Sequence, residues 1–123
     1  MKTEELISLI VDSAYQVKKT LGAGFLESVY QHALSVELQS SGITCELEKN
    51  INVYYKGQPV GFYRADLLVD SKVIVETKVT DNIALAHELQ VVNYLKATGI
   101  ENGIIINFGT YPLQIKRKFL HTK

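Results

Sequence analysis

An acidic residue and a lysine interrupt a short apolar stretch of the sequence, VIVETKV at residues 73–79. The stretch is rich in β-branched residues, which predicts a β-strand. Glu76 and Lys78 are two residues apart, so their side chains project from the same face of that strand. Because an unpaired charge is costly to bury, these two residues indicate either an ion-pair network or a chemical site.

The preceding strand, expected at about residues 60–69, supplies a third charged residue, Asp66. A three-residue loop at residues 70–72 would pair Val69 with Val73 and set Asp66 directly opposite Glu76. A two-residue turn would mix charged and aliphatic side chains on both faces, and Asp-Ser lacks the glycine that favours such turns. We therefore expect the register that opposes Asp66 to Glu76, or a bulge with the same effect.

This register predicts one apolar and one charged face for the hairpin. The apolar face would consist of Ala65, Leu67, Val69, Val73, Val75, Thr77 and Val79. The charged face would collect Arg64, Asp66, Glu76 and Lys78.

Directly opposed carboxylates have Cβ atoms about 4.5–5.5 Å apart, and like charges at that separation repel. A divalent cation such as Mg²⁺ or Mn²⁺ removes the repulsion, because hard cations bind carboxylate oxygens together with phosphate and water. Lys78, one pleat further along, would then orient or deprotonate a water beside the metal. A structural network, in which Arg64 and Lys78 neutralise the two acids, explains the same spacing and stays open.

The elements that must position these residues follow from periodicity. Apolar residues recur at helical spacing from Thr3 to about Thr20, LGAG interrupts at residues 21–24, and a second helix is expected over 26–40. A third helix is expected over 82–98, capped by Asp81 or Thr80. Strands are expected over 43–55, 60–69, 73–79, 104–108 and 112–120. This order, α-α-β-β-β-α-β-β, predicts an α/β (α+β) mixed sheet with a crossover from the third strand to the fourth.

The bulk composition narrows the protein class. A chain of 123 residues with 46% hydrophobic and 21% charged residues predicts one globular domain over 1–123. Thirteen basic and thirteen acidic residues give no net charge, which argues against nucleic-acid binding by charge alone. No apolar run is long enough to span a membrane, and the N-terminus is not a signal peptide. The single cysteine, Cys45, fits a reducing, cytoplasmic location.

Four segments resemble a known family. GFLESVY at residues 24–30 matches the G-x-x-E-x-x-Y motif of the GxxExxY proteins, and ADLLVDSKVIVETKV at 65–79 resembles the D…(D/E)-x-K core of the PD-(D/E)xK nuclease superfamily. AHELQVVNYLKATG at 86–99 and INFG at 106–109 are similar to the family's C-terminal half. The resemblance implies a restriction-endonuclease-like core.

The resemblance also implies roles for individual residues. Asp66 and Glu76 would be metal ligands, Lys78 the catalytic lysine, and Glu27 a further acid that reaches the same site from the second helix. The resemblance further implies a substrate-binding role for Gln90, Tyr94 and Tyr30.

Two positions depart from the usual pattern of the superfamily. Ala65 replaces the proline before Asp66, and Thr77 replaces an apolar residue inside the E-x-K motif. The alternation of the strand places Thr77 on the apolar face.

The hypothesis that follows is a Mg²⁺- or Mn²⁺-dependent nuclease that hydrolyses phosphodiester bonds in nucleic acid, with DNA favoured over RNA. A homodimer or a partner protein that supplies the grip on nucleic acid is a further hypothesis. Two alternatives remain: a non-catalytic interaction module that keeps the nuclease fold, and a metal-dependent hydrolase of a small phosphate ester or nucleotide.

Overall fold

The computed structural model describes residues 1–120, and residues 121–123 lie outside the described part. Three helices and five strands follow one another in the predicted order: α1 (Thr3–Leu21), α2 (Glu27–Ser40), β1 (Cys45–Tyr55), β2 (Gln58–Val69), β3 (Val73–Lys78), α3 (Leu85–Thr98), β4 (Asn102–Asn107) and β5 (Gln114–Phe119). The expectation of a single domain over 1–123 stays a prediction.

The five strands form one mixed sheet in which spatial order equals chain order, β1-β2-β3-β4-β5. Strands β3 and β4 are parallel, and α3 connects them. The other neighbouring pairs are antiparallel. The predicted α+β class with a mixed sheet is therefore confirmed.

Helices cover both faces of the sheet. One apolar cluster joins α1 and α2 to side chains such as Leu67 and Val75. A second joins α3 to the opposite face, where Leu68 and Ile74 are buried. The prediction of one apolar and one charged face is wrong. The face that was expected to be charged also buries apolar side chains, Leu68 and Ile74, under α3. Within the two strands themselves, the charged residues are confined to the end away from the loop, at Arg64, Asp66, Glu76 and Lys78.

The hairpin between β2 and β3 has the predicted register. Val69 pairs with Val73 and Leu67 with Val75, which confirms the three-residue loop at residues 70–72. The predicted alternation fails further along β2, however. Ala65 packs in the cluster under α3, whereas Leu67 packs with α1 and α2. The faces therefore exchange at Asp66, and Ala65 does not share a face with Leu67 as we expected.

Helix α3 begins later than predicted, at Leu85 with Ala84 as its N-cap residue, so the expected cap at Asp81 or Thr80 is wrong. The backbone N–H of Thr80 donates to the side chain of Asn107, and that of Ile83 donates to Gln114. Since these amides are held by side chains of β4 and β5, the segment before Leu85 is fixed in a non-helical conformation.

None of the helices found between residues 1 and 120 has the length and apolar character required to cross a membrane.

Candidate active site

The backbone ladder between β2 and β3 ends at Leu67 and Val75, one residue before the two acids. Beyond that point side chains take over the hydrogen bonds. The Asp66 N–H donates to Glu76 Oε1 at 3.0 Å, and the Thr77 N–H donates to Asp66 Oδ2 at 2.8 Å. Each carboxylate therefore accepts a backbone hydrogen bond from the opposite strand, which holds the two acids beside each other where the strands separate.

Thr77 also contributes its side chain to this arrangement. Its Oγ1 donates to Asp66 Oδ2 at 2.9 Å. Thr77 is fully buried, as expected for a residue on an apolar face, and its hydroxyl in addition fixes the orientation of Asp66. Gln31 on α2 is a second residue that the sequence did not reveal: its Nε2 donates to the Asp66 carbonyl at 3.1 Å. No motif marked Gln31, because only the packing of α2 on the sheet brings it there.

Glu76 is the most strongly perturbed acid of the site. Its side chain is only 4% exposed. Burial, followed by the negative charge of Asp66, raises the pKa of Glu76 to about 8. The carboxyl group of Glu76 thus stays protonated to near-neutral pH unless a cation compensates its charge.

Glu27 is the first residue of α2, and a specific loop places it there. Gly24, with a φ of 102°, turns the chain between α1 and α2. The Tyr30 hydroxyl closes the loop, since it donates to the Gly22 carbonyl at 2.6 Å and accepts from the Phe25 N–H at 3.3 Å. The glycine and the tyrosine of the G-x-x-E-x-x-Y motif thus hold its glutamate in position.

Tyr30 itself lies in the core. It is fully buried, and its ring stacks on Phe108 with the ring centroids 4.9 Å apart. The structure gives Tyr30 a structural role, and a substrate-binding role for it stays a prediction without support from this geometry.

Glu27 lies near the two strand acids. Burial raises its pKa, the negative charge of Asp66 adds to the rise, and the positive charge of Lys78 opposes it. Glu27 Oε1 is buried and has no hydrogen-bond partner among the described residues. A buried carboxylate oxygen without a donor is costly, so Glu27 needs a proton or a cation.

Lys78 is half-buried at the end of β3. Its positive charge acts on both Glu27 and Glu76, which places its ammonium group near these acids. Arg64 is arranged differently: its guanidinium lies 3.9 Å from Glu48 in a pair whose side chains are both 55% exposed. The structure therefore does not support a network in which Arg64 neutralises the strand acids.

Tyr94 of α3 approaches the site from the opposite side. It is 3% exposed, and its hydroxyl lies 3.5 Å from the Arg64 carbonyl. Burial, with further contributions from the charges of Glu76 and Asp66, raises the pKa of Tyr94. Gln90 is half-buried one helical turn earlier on α3. Roles for both in substrate binding stay predictions.

The donor set fits a hard divalent cation by its chemistry. Asp66 and Glu76 each commit one carboxylate oxygen to a backbone amide, which leaves the second oxygen of each for another ligand. Glu27 adds its unpartnered oxygen. Across residues 1–120, however, no three His, Cys, Asp or Glu side chains are close enough together to form a complete metal cluster. A cation would therefore draw Glu27 inward or complete its shell with water and substrate oxygens.

Comparisons with known proteins identify the family of this chain. A sequence model of the PD-(D/E)XK nuclease superfamily matches residues 4–118. The chain therefore belongs to the PD-(D/E)XK nuclease superfamily. A search of curated proteins gave no significant match.

Among solved structures, the crystal structure of SSO0001 is similar in fold. It superposes with a TM-score of 0.56 at 19% sequence identity, over 98% of this chain. The chain spans 60% of the length of SSO0001. At this identity the likeness concerns the fold alone.

Proposed function

We propose that this protein is a metal-dependent nuclease that hydrolyses phosphodiester bonds in nucleic acid, and that DNA is preferred over RNA. The superfamily supports the nuclease fold. The observation that carries the proposal is the pair of acids at the end of β2 and β3, each fixed by a backbone amide of the opposite strand. Such fixed carboxylates form a ready site for a cation that also holds a phosphate.

In this proposal Asp66 and Glu76 hold Mg²⁺ or Mn²⁺, and Glu27 contributes from α2. The ion, when bound, would polarise the phosphoryl group and lower the pKa of an attacking water. Lys78 stabilises the negative charge that develops on the phosphoryl oxygens, or positions the water. Gln90 and Tyr94 line the same site on α3 and contact the substrate.

We further propose that the chain is a GxxExxY protein. The three residues of that motif act together, since Gly24 and Tyr30 fix a loop and Glu27 approaches the strand acids. A homodimer or a partner protein would supply additional contacts to nucleic acid, since the chain has no net charge with which to attract phosphates. A cytoplasmic location is part of the same proposal and rests on the single cysteine.

Cleavage assays test the proposal directly. The purified protein should cut single- or double-stranded DNA in Mg²⁺ or Mn²⁺ and should lose this activity in EDTA. Asp66→Asn should abolish cleavage and weaken metal binding measured by calorimetry, because it removes a ligand charge while it keeps an oxygen that can accept from Thr77.

Asp70→Asn is the matched control. Asp70 lies in the hairpin loop, has a positive φ that asparagine also tolerates, and pairs there with Lys72 at 3.7 Å. It should leave cleavage unchanged. Cleavage that persists in EDTA, or in Asp66→Asn as in Asp70→Asn, would show that the acids are not the active site.

A non-catalytic interaction module is the second candidate. The absence of a complete metal cluster in residues 1–120 favours it, as does the burial of Glu76. Absence of metal binding in calorimetry, together with no cleavage of DNA or RNA of either strandedness, would support this module and exclude the nuclease.

A further inference from the structure

A groove of about 440 Å³ lies between the β1–β2 hairpin and α3, outside the acidic site. Its volume falls in the range of about 300–1,000 Å³ that is usual for small-molecule sites. Two tyrosines, two asparagines and a lysine line it: Tyr54, Tyr63, Asn52, Asn93 and Lys96. Aromatic rings stack on bases, amides pair with base edges, and an ammonium group pairs with phosphate, so this combination of side chains matches a nucleotide.

Tyr63 is held as a stacking platform. Its ring contacts that of the buried Tyr94, with centroids 5.7 Å apart and the planes inclined at 56°. The residue is nevertheless 41% exposed, and the groove lies beside its exposed part. A ring that is supported by packing and open to the groove loses little conformational freedom when a base stacks on it.

The same contact connects the groove to the acids. The ring of Tyr94 contacts that of Tyr63, and its hydroxyl lies 3.5 Å from the carbonyl of Arg64, two residues before Asp66. The groove therefore adjoins the part of β2 that leads to Asp66, where the proposed function places a phosphate of the strand.

The β1–β2 hairpin is long enough to form the outer wall of this groove. Strands β1 and β2 comprise 11 and 12 residues, whereas β3, β4 and β5 comprise six each. The hairpin therefore extends past the end of β3 and carries exposed aromatic side chains there, among them Tyr54 and Phe62, which are 61% and 60% exposed.

We propose that this groove is a subsite that binds an unpaired base of the substrate strand, with the base stacked on Tyr63 and its phosphate paired with Lys96. The inference deepens the proposed nuclease function and rests on it for the class of substrate. It predicts a preference for single-stranded segments, because a base inside a duplex cannot enter the groove.

Binding measured in EDTA tests the subsite apart from catalysis. Two fluorescein-labelled probes are used: a dT12 oligonucleotide and a strand of the same length that lacks the bases. Binding of each probe is measured by fluorescence anisotropy. Tyr63→Leu should weaken dT12 binding about tenfold, since it keeps an apolar contact with Tyr94 but removes the stacking ring. The same variant should change binding of the abasic 12-mer less than twofold, and Tyr63→Phe should bind dT12 as the wild type does.

Lys96→Gln should weaken binding of both probes and reduce the slope of log K against log salt by about 0.7, as expected for one lost phosphate contact to a single strand.

Tyr111→Ala is the matched control for the tyrosine variant, because Tyr111 is 76% exposed and lies in another region, beside Tyr15 of α1. It should bind both probes normally.

Equal binding of dT12 by Tyr63→Leu and by the wild type would overturn the subsite. An equal loss for dT12 and the abasic probe would overturn it as well. The subsite would also be overturned if sedimentation showed that Tyr63→Leu weakens dT12 binding by dissociating a dimer, because the groove would then be a contact between two copies of the chain.

The two proposals fail separately. Cleavage with no effect of Tyr63→Leu on binding overturns the subsite alone, whereas base-dependent binding without cleavage overturns the nuclease alone.

Discussion

The two ends of the β2–β3 hairpin satisfy their backbone amides in different ways. At the loop end, Val69 pairs with Val73 and Leu67 with Val75 in a regular ladder, and apolar side chains are buried on both faces. At the open end the ladder stops, and the amides of Asp66 and Thr77 donate to carboxylates instead.

One end of the hairpin therefore stabilises the fold, while the other end, a few residues away, holds the candidate catalytic acids. Main-chain pairing and apolar burial at the loop end stabilise the fold without any ligand. At the open end the amides are used to fix two acids, one of which has a pKa raised to about 8 by burial and by its neighbour. The open end is therefore ordered but electrostatically unfavourable when both acids are charged, and a cation would relieve that cost.

The largest effect on stability is expected at the loop end. Leu67→Ala removes a fully buried side chain from the cluster with α1 and α2. It should lower the free energy of unfolding by about 2–5 kcal/mol, measured by urea denaturation. The loss should be the same with and without Mg²⁺. A loss of less than about 1 kcal/mol would show that the loop end does not anchor the core.

Replacement of Lys78 at the open end should affect the cleavage rate far more than the free energy of unfolding. Lys78→Met should reduce the cleavage rate about 100-fold or more, because it removes a cation that acts on the developing negative charge. Its free energy of unfolding should change by less than about 1 kcal/mol. Lys116→Met, on an exposed position of β5, is the control and should retain activity. Similar activities of the two variants would exclude Lys78 from catalysis.

A pH dependence of stability should distinguish Glu76 from ordinary carboxylates. The folded protein keeps the Glu76 proton up to a pKa of about 8, whereas an unperturbed glutamate loses it near 4.5. Between these values the folded state binds more protons than the unfolded state, so stability should fall as pH rises. Each unit of pKa difference corresponds to about 1.4 kcal/mol, so over this window the metal-free protein should lose up to about 5 kcal/mol of unfolding free energy.

Chemical denaturation at several pH values measures this slope. Glu76→Gln should reduce it, and Mg²⁺ should flatten it in the wild type. A residual slope of the same sign is expected from Glu27, whose pKa is also raised. Glu4→Gln is a suitable control, because the hydrogen-bonded Arg117 holds the pKa of Glu4 below its ordinary value and thus outside the window. A slope that Glu76→Gln leaves intact would contradict the assignment.

The smallest effect is expected for Arg64, which lies beside the open end but points to Glu48. Arg64→Met should change the free energy of unfolding by less than about 0.5 kcal/mol, since its ion pair is exposed and long. The pH slope of stability should stay that of the wild type. A steeper slope in Arg64→Met would mean that Arg64 does neutralise the strand acids.

The order of elements and the hairpin register could be predicted because they depend on local features. Apolar periodicity distinguished α1 and α2 from the strands, and the length of the loop at residues 70–72 determined which residues face each other. This register brings Asp66 close to Glu76, since each acid lies one residue beyond the last regular pair, Leu67 with Val75. The resemblance of these motifs to the PD-(D/E)XK superfamily is confirmed by the family model that matches residues 4–118.

Other features depended on contacts between distant segments. The late start of α3 results from side chains of β4 and β5 that hold Thr80 and Ile83, some 30 residues earlier in the chain. The exchange of faces at Asp66 accompanies the replacement of the ladder by side-chain hydrogen bonds, which no alternation pattern describes.

The sequence by itself determined which residues carry charge on β2 and β3, and the hairpin register that brings Asp66 close to Glu76. Only the tertiary structure decided what these acids experience. Burial in the assembled fold raises the pKa of Glu76, and the loop closed by Tyr30 holds Glu27 at the start of α2, where the charge of Asp66 acts on it. Burial and electrostatic coupling are sums over all surrounding groups, so they arise only when the helices and the sheet are assembled.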